Sequence, residues 1–429
     1  MLNDTDNEFL CRVGAGTPMG EYLRRFWMPF LLPEELPEPD CPPVRTTLLG
    51  EQLVAYKDTN GDIGLIDNFC PHRRASMFFG RNEECGLRCV YHGWKFDTNG
   101  DCVDMPSEPA ESNFKDKVKI KAYPAREYGG LIWAYMGPIE TMPELPKLDW
   151  ATLPDSHRIM SKRSQESNWV QSVEGGIDSS HISFLHSGVT PYMRDNPGKR
   201  PARRGAGAPL DFTTVDTSPR FAVDDTEAGL LISARREADD DRYYYRITQM
   251  LLPFYTMIPG AIKPGHQIGG HAWVPIDDYS CWNFSVSWNP YRPFTDEEVK
   301  QHWSGAGLHA LTDNKYRPLS NKDNDYNIDR EEQRYKTFTG IKGIGEQDMG
   351  TQESMGALSW RAGEHLGASD SAIIAYRRRL MQEARNLQEG VESFAATHPE
   401  AYAVRSASVL VKRGESYLDA AKDRLEAKV

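Results

Sequence analysis

Cys70-Pro71-His72 and Cys89-Val90-Tyr91-His92 are two short runs, each a cysteine followed by a histidine, with 16 residues between His72 and Cys89. Together they offer two thiolates and two imidazoles. A zinc finger uses the same residue types, but it takes its cysteines as one pair and its histidines as the next. Here each run contributes one of each, so two loops can clamp a dinuclear iron–sulfur cluster from opposite sides. In such a cluster the cysteines hold one iron and the histidines the other, which raises the reduction potential to roughly −150 to +300 mV. Gly93 and Trp94 after His92, with Gly80 and Gly86 between the runs, supply tight turns and apolar cover. The expectation is a protein that moves electrons.

A cluster ligated in this way is a Rieske [2Fe–2S] centre, and the text around it reads as a small antiparallel β-domain. Thr46–Leu49, Gln52–Tyr56 and Leu131–Tyr135 are strand-like runs, with turn signals at Asn60-Gly61 and Asn99-Gly100. Before it come a short helix around Met19 to Trp27 and a proline-rich crossing from Pro29 to Pro43. After it, the proline-rich stretch Pro138 to Pro154 reads as a linker. Further strands are expected at Arg242–Thr248 and Cys281–Val286, and helix from about Ser369 onward. The fold class is α+β. The expected divisions are residues 1–43, a β-domain over 44–138 and a second domain over 139–429.

Composition bounds the function classes. The chain has 429 residues, enough for two domains, and a net charge of −12, which argues against nucleic-acid binding. Seven cysteines scattered along it, an odd number, do not suggest a disulfide framework; a reducing cytoplasm is expected. The opening is acidic and lacks the apolar core of a secretory signal, and no apolar stretch reaches membrane-spanning length.

A second constellation lies in Glu174-Gly175-Gly176-Ile177-Asp178-Ser179-Ser180-His181-Ile182-Ser183-Phe184-Leu185-His186. Two histidines and a carboxylate form most of a facial triad, which leaves positions open on a non-haem Fe(II). In an unbroken helix His181 and His186 would diverge by about 140°. They reach one metal only if the helix is distorted or ends between them. A structural role for such a pair is the competing reading.

The order Cys-x-His, Cys-x2-His, then Asp-x2-His-x4-His resembles the large subunit of Rieske non-haem iron aromatic-ring oxygenases. Gly16–Trp27, Val90–Asp97 and Asp104–Glu108 resemble the phthalate 4,5-dioxygenase group in particular. The resemblance covers essentially the whole chain and implies an N-terminal Rieske domain followed by a helix-grip domain, an antiparallel sheet around a long helix. It implies Cys70, His72, Cys89 and His92 as cluster ligands, and His181 and His186 with Asp348 as ligands of a mononuclear Fe(II), with O2 as co-substrate. Asp348 lies in Glu346-Gln347-Asp348-Met349-Gly350-Thr351-Gln352-Glu353, where Glu346 or Glu353 could be confused with it. The aspartate matching Asp178 bridges an iron-ligating histidine to a cluster histidine of the neighbouring subunit in a ring of three. A helix cap for the segment bearing His181 is the plainer reading. The chain departs from the usual family pattern at Glu174-Gly175-Gly176, where a more regular helix with Asn is frequent.

By the same resemblance an NAD(P)H-dependent reductase with flavin and an iron–sulfur centre supplies electrons, since no nucleotide-binding glycine run or plant-type ferredoxin cysteine run is found here. The assembly is a homotrimer or stacked trimers. Alternation along Arg242–Thr248 puts Arg242, Tyr244 and Arg246 on one face, and arginines in a pocket suit an aromatic carboxylate. Arg203, Arg204, Arg235 and Arg236 are further candidates, and Ser179 could add a hydroxyl; a surface salt bridge is the plainer reading of each arginine. The expected reaction is cis-dihydroxylation of a phthalate-like acid. O-demethylation of methoxylated aromatic acids by a monooxygenase is the alternative, and an electron-transfer protein without catalytic iron is the alternative of another class.

Overall fold

The computed structural model describes residues 2–188, 212–263 and 265–427. It contains two compact units, Arg12–Pro143 with Val274–Asp278, and Met1–Cys11 with Glu144–Trp273 and Tyr279–Val429.

The first unit is built from small antiparallel sheets. Val44–Leu48, Glu51–Lys57, Ile63–Asp67 and Ala122–Tyr123 pair in that order, and four two- or three-residue strands between Arg81 and Asp104 form a second sheet. The Asn-Gly turns form as the sequence indicates, with Gly61 at φ +90° and Gly100 at φ +80°. Gly80 and Gly86 differ: neither has a positive φ, and an added Cβ would lie 2.7 Å from the carbonyl oxygens of Met77 and Phe96 respectively. They permit close backbone packing and do not make left-handed turns. The core joins Val54, Tyr56, Ile66, Leu87 and Phe96 to the two cluster-type cysteines.

The helix expected around Met19 to Trp27 is shorter, Pro18–Leu23, capped by Thr17. Trp27–Leu31, partly assigned to the proline-rich crossing, is instead a fully buried strand paired with Leu131–Tyr135. Pro29 is accommodated because this is an edge strand with its register shifted between Pro29 and Leu31.

The second unit holds a long antiparallel sheet. Its strands are β1 (Arg158–Gln165), β2 (Arg220–Asp225), β3 (Gly229–Glu237), β4 (Arg242–Leu251), β5 (Tyr255–Ile258), β6 (Ile268–Pro275), β7 (Cys281–Trp288) and β8 (Ala407–Lys412). The order is β1-β7-β6-β5-β4-β3-β2, with β8 also on β4. Three helices matter to function: α1 (Trp169–Ile177), α2 (Ile344–Ser354) and the 18-residue α3 (Ser371–Gln388). α1 packs on β5 and α2, and α3 packs on β2 and β3. β8 interrupts the region expected to be helical after Ser369. Its Val409 and Val411 join Ile247 and Ala421 in a core patch that a strand with period two can present.

The alternation expected along β4 is present. Tyr245 stacks on Tyr417 at 4.8 Å on one face, while Tyr244 and Arg246 line a cavity on the other. Among the described residues no helix is long and apolar enough to cross a membrane.

Candidate functional site

The two Cys/His runs fold into matching loops. Cys70 N–H donates to Ala75 O at 2.9 Å and Arg74 N–H to Cys70 O at 2.9 Å, with Arg74 left-handed at φ +62°. In the other loop Cys89 N–H donates to Trp94 O at 2.8 Å and Gly93 N–H to Cys89 O at 2.9 Å. Gly93 has φ +79°, and a Cβ there would lie 2.7 Å from Pro106 Cγ, so glycine is required on both counts.

The loops bring their ligand-type side chains together. The Cys70 and Cys89 thiols hydrogen-bond each other; the bond from Cys70 pushes Cys89 down to about 6 and leaves Cys70 raised. The His72 and His92 rings are 4.4 Å apart, and Trp94 stacks on His72 at 4.4 Å and 10°. Trp94 is itself held by its indole N–H to Ser107 Oγ at 3.0 Å. His72 Nδ1 is buried with no hydrogen-bond partner. An unsatisfied ring nitrogen beside paired thiols fits a group that takes two thiolates and two imidazoles.

The second site forms where α1 ends. Asn168 caps its N-terminus, and Asp178 is its C-cap, not the N-cap of a following helix. Asp178 Oδ1 accepts from Ser180 N–H at 2.6 Å, turning the chain into a short 3-10 segment, His181–Ser183. The break resolves the five-residue spacing: His181 Nε2 and His186 Nε2 come within 3.1 Å of each other. Asp348, on α2, places Oδ1 3.5 Å from His181 Nε2 and 3.2 Å from His186 Nε2. Ligand atoms of these three residues all lie within 4.8 Å of one another.

Burial would raise the Asp348 carboxyl, but the hydrogen bond to His186 and the two imidazoles outweigh it and hold Asp348 below the usual carboxylate range. The far nitrogens have partners too. His181 Nδ1 lies 3.4 Å from Asp178 Oδ2, and His186 Nδ1 lies 2.7 Å from Gln347 Oε1. Of the neighbouring carboxylates on α2, Glu353 is hydrogen-bonded elsewhere and Glu346 Oε2 is buried without a hydrogen-bond partner. Glu353 accepts from Tyr326 O–H at 2.5 Å and from Glu166 N–H at 2.8 Å. Glu346 Oε2 curls back toward Gly343, where an added Cβ would lie 2.2 Å from it.

Gly175 and Gly176 leave α1 a regular helix through Ile177; their role is close packing. A Cβ on Gly175 would lie 2.1 Å from Gln352 Nε2 on α2, and one on Gly176 would lie 2.7 Å from Thr256 Oγ1 on β5. These contacts set the end of α1 against the helix that carries Asp348.

The arginine and serine candidates separate. Arg242 is exposed and paired with Asp239 at 2.6 Å, which corrects its expected place in a pocket. Arg235 lies over the Tyr243 ring at 4.3 Å on the opposite face. Ser179 is also corrected: it is buried, and its Oγ accepts from Arg236 at 3.3 Å. Arg236 is buried on β3 and donates to Ser179 O, to Ser183 Oγ and to Asp216 O, so it holds the His181 segment in place. Burial and the nearby Arg246 push Arg236 down to about 10. Arg203 and Arg204 lie outside the described residues.

Arg246 is different. It lines a cavity of about 1000 Å³ with Tyr244, Ile258, Lys263, Gln267, His302 and Leu308, and its buried Nε has no partner. Its charge also acts on His186. A smaller recess of about 370 Å³ opens beside Asp178, His181 and Asp348, walled by Phe184, Leu185, Phe338 and Met355. The arginine there, Arg377, is spent on Glu174 and Glu364. Of these two recesses, the larger offers the guanidinium donor without a partner.

Comparison with known proteins decides the family. The profile of the Rieske [2Fe-2S] domain matches residues 26–124, and that described as LigXa C-terminal domain like matches 134–426. The 3-chlorobenzoate-3,4-dioxygenase oxygenase subunit of Comamonas testosteroni is 39% identical over 89% of this chain and 88% of its own length. The phthalate 4,5-dioxygenase oxygenase subunit of Pseudomonas putida is 38% identical, over 95% and 92%. The chain belongs to the Rieske non-haem iron oxygenases. The 5,5'-dehydrodivanillate O-demethylase oxygenase subunit of a Sphingobium species also matches this oxygenase, at 32% identity over 91% of this chain and 82% of its own length. Two solved structures share the fold of the oxygenase. They are Pseudomonas putida NdmA with caffeine (TM-score 0.59, 20% identity, 93% of this chain and 100% of that one) and dicamba monooxygenase bound to dicamba (0.59, 17%, 86% and 99%). As members of this family have a Rieske cluster and a mononuclear iron, the oxygenase has two metal groups to hold, and each converging side-chain set described above suits one of them.

The sequence did not point to Gln347 as a partner of His186, and it offered Arg236 only as a further substrate candidate. Gln347 directly precedes Asp348, which is the signal that could have found it. Arg236 depends on strand register, where it faces Tyr244 across β3 and β4, and no local pattern announces that.

Proposed function

We propose that this catalytic subunit oxygenates a carboxylated aromatic, with cis-dihydroxylation of a phthalate-like acid as the reaction. Cys70, His72, Cys89 and His92 hold the cluster, and His181, His186 and Asp348 hold the mononuclear iron. When bound, the cluster supplies electrons and the iron supplies dioxygen activation. The protein's own residues do the rest. Arg246, which lines the larger cavity and whose charge acts on His186, pairs with the substrate carboxylate through its guanidinium. That arginine in the cavity wall carries the substrate reading. Ile258 and Leu308 supply apolar surface for the ring, and Arg236 fixes the segment that bears His181.

Asp178 is proposed to accept hydrogen bonds from His181 and from a cluster histidine of a neighbouring copy, orienting both rings. Its place in the smaller recess supports this, as do Val90 and Tyr91, 56% and 54% exposed on the loop that carries His92. The assembly is then a homotrimer or stacked trimers, fed by an NAD(P)H-dependent reductase with flavin and an iron–sulfur centre, in the cytoplasm.

O-demethylation is the second reading, favoured by the match to a demethylase oxygenase subunit over 91% of this chain. Product analysis over a panel of aromatic acids with a reductase tests the proposal. A cis-diol from a dicarboxylate supports it, and formaldehyde released from methoxylated acids with no diol from any other overturns the dihydroxylation reading.

A further inference from the structure

Gln347 sits between the two features already described, on α2 beside Asp348 and against the ring of His186. Its amide is held at both ends. Nε2 donates to Ile341 O at 2.8 Å, and Oε1 lies 2.7 Å from His186 Nδ1. A carbonyl can only accept, so the Ile341 contact identifies the amide nitrogen and leaves the amide oxygen facing the imidazole. The ring nitrogen that meets an acceptor must carry the proton.

We infer that Gln347 is a positioning residue that holds His186 in its Nδ1–H tautomer and thereby aims the Nε2 lone pair at the metal. Nε2 is the atom that lies 3.2 Å from Asp348 Oδ1 and 3.1 Å from His181 Nε2, so the selected tautomer presents its donor at the point where the other ligands converge. The two histidines are thereby unlike. His181 has a carboxylate, Asp178, at 3.4 Å from its far nitrogen, whereas His186 has a neutral amide. The inference rests on reading His181, His186 and Asp348 as the iron ligands.

The test is Fe(II) titration of the cluster-loaded protein stripped of its mononuclear metal, against a competing chelator, with the visible spectrum of the Co(II)-substituted site as a second readout. Gln347→Leu removes the acceptor and the Ile341 contact, whereas Gln347→Glu keeps an acceptor for His186 and loses only the donor to Ile341. Gln347→Leu should bind Fe(II) roughly 10–100-fold more weakly, the range in which such outer partners act. Gln347→Glu should bind at least as tightly as the parent, with shifted Co(II) bands. Equal weakening in both variants, or no weakening in Gln347→Leu, overturns the inference. His186→Ala separates the underlying reading: if it binds Fe(II) as the parent does, the ligand assignment falls and the inference with it.

Discussion

Replacing Arg246 by Met tests how the cavity recognises substrate. The side chain is nearly isometric with the arginine stem, but it removes a guanidinium whose buried Nε has no partner within the protein. A hydrogen bond between charged groups contributes about 1.5–3 kcal/mol. At about 1.4 kcal/mol per tenfold, Arg246→Met should weaken a carboxylated substrate by roughly 10–150-fold. An analogue with a neutral amide in place of the carboxylate should change little. Stability should not fall, because Arg246 lies close enough to the buried Arg236 to oppose its charge. The assay is substrate affinity by calorimetry for acid and amide, beside thermal unfolding of the same samples. Arg246→Lys should fall between the two, since it keeps charge and loses the planar fork. Equal losses for acid and amide would refute the reasoning by pointing to a collapsed cavity, as would an unchanged affinity for the acid.

Asp178→Asn should leave both metal sites filled and slow single-turnover oxidation of the cluster by roughly 10–100-fold; unchanged stopped-flow traces at the cluster absorbance would rule out the bridge. Gly176→Ala would put a Cβ 2.7 Å from Thr256 Oγ1. Overpacking costs about 1–3 kcal/mol and the gain in helix propensity returns about 1, so denaturant unfolding should show a loss of up to ~2 kcal/mol with reduced iron content. Burial pushes His271 and His309 down to about 3, so each stays neutral in the folded chain. The unfolded chain protonates them from about pH 6.5 downward, and so binds more protons between there and pH 3. Stability should therefore drop by about 1.4 kcal/mol per pH unit for each histidine across that window, and His309→Gln should make the slope in urea unfolding shallower by that amount.

The parts legible in the sequence are those whose chemistry is local. Two Cys/His runs declare a cluster because each loop is closed by its own backbone bonds, and His181 and His186 sit within one turn of chain. Asp348 was reached only through resemblance, since α2 meets α1 by packing that depends on Gly175 against Gln352. Trp27–Leu31 was misplaced because all five residues are buried and the period-two signal is lost. Arg242 and Arg246 share a face of β4 and look equivalent in sequence. The strand end gives Arg242 to Asp239, while Arg246 faces the cavity. Which arginine serves the substrate is a matter of depth along the strand, and periodicity carries no depth.

Iron content read together with oxygen consumption tests the mononuclear site most directly. Protein purified without oxygen should hold a third iron beyond the two of its cluster, and with a reductase it should consume oxygen only when an aromatic carboxylate is present. Loss of that third iron, and of the oxygen uptake, is expected in Asp348→Ala while the cluster spectrum persists. Protein that carries cluster iron alone and shows no substrate-dependent uptake would contradict the reading of His181, His186 and Asp348 as a catalytic metal site.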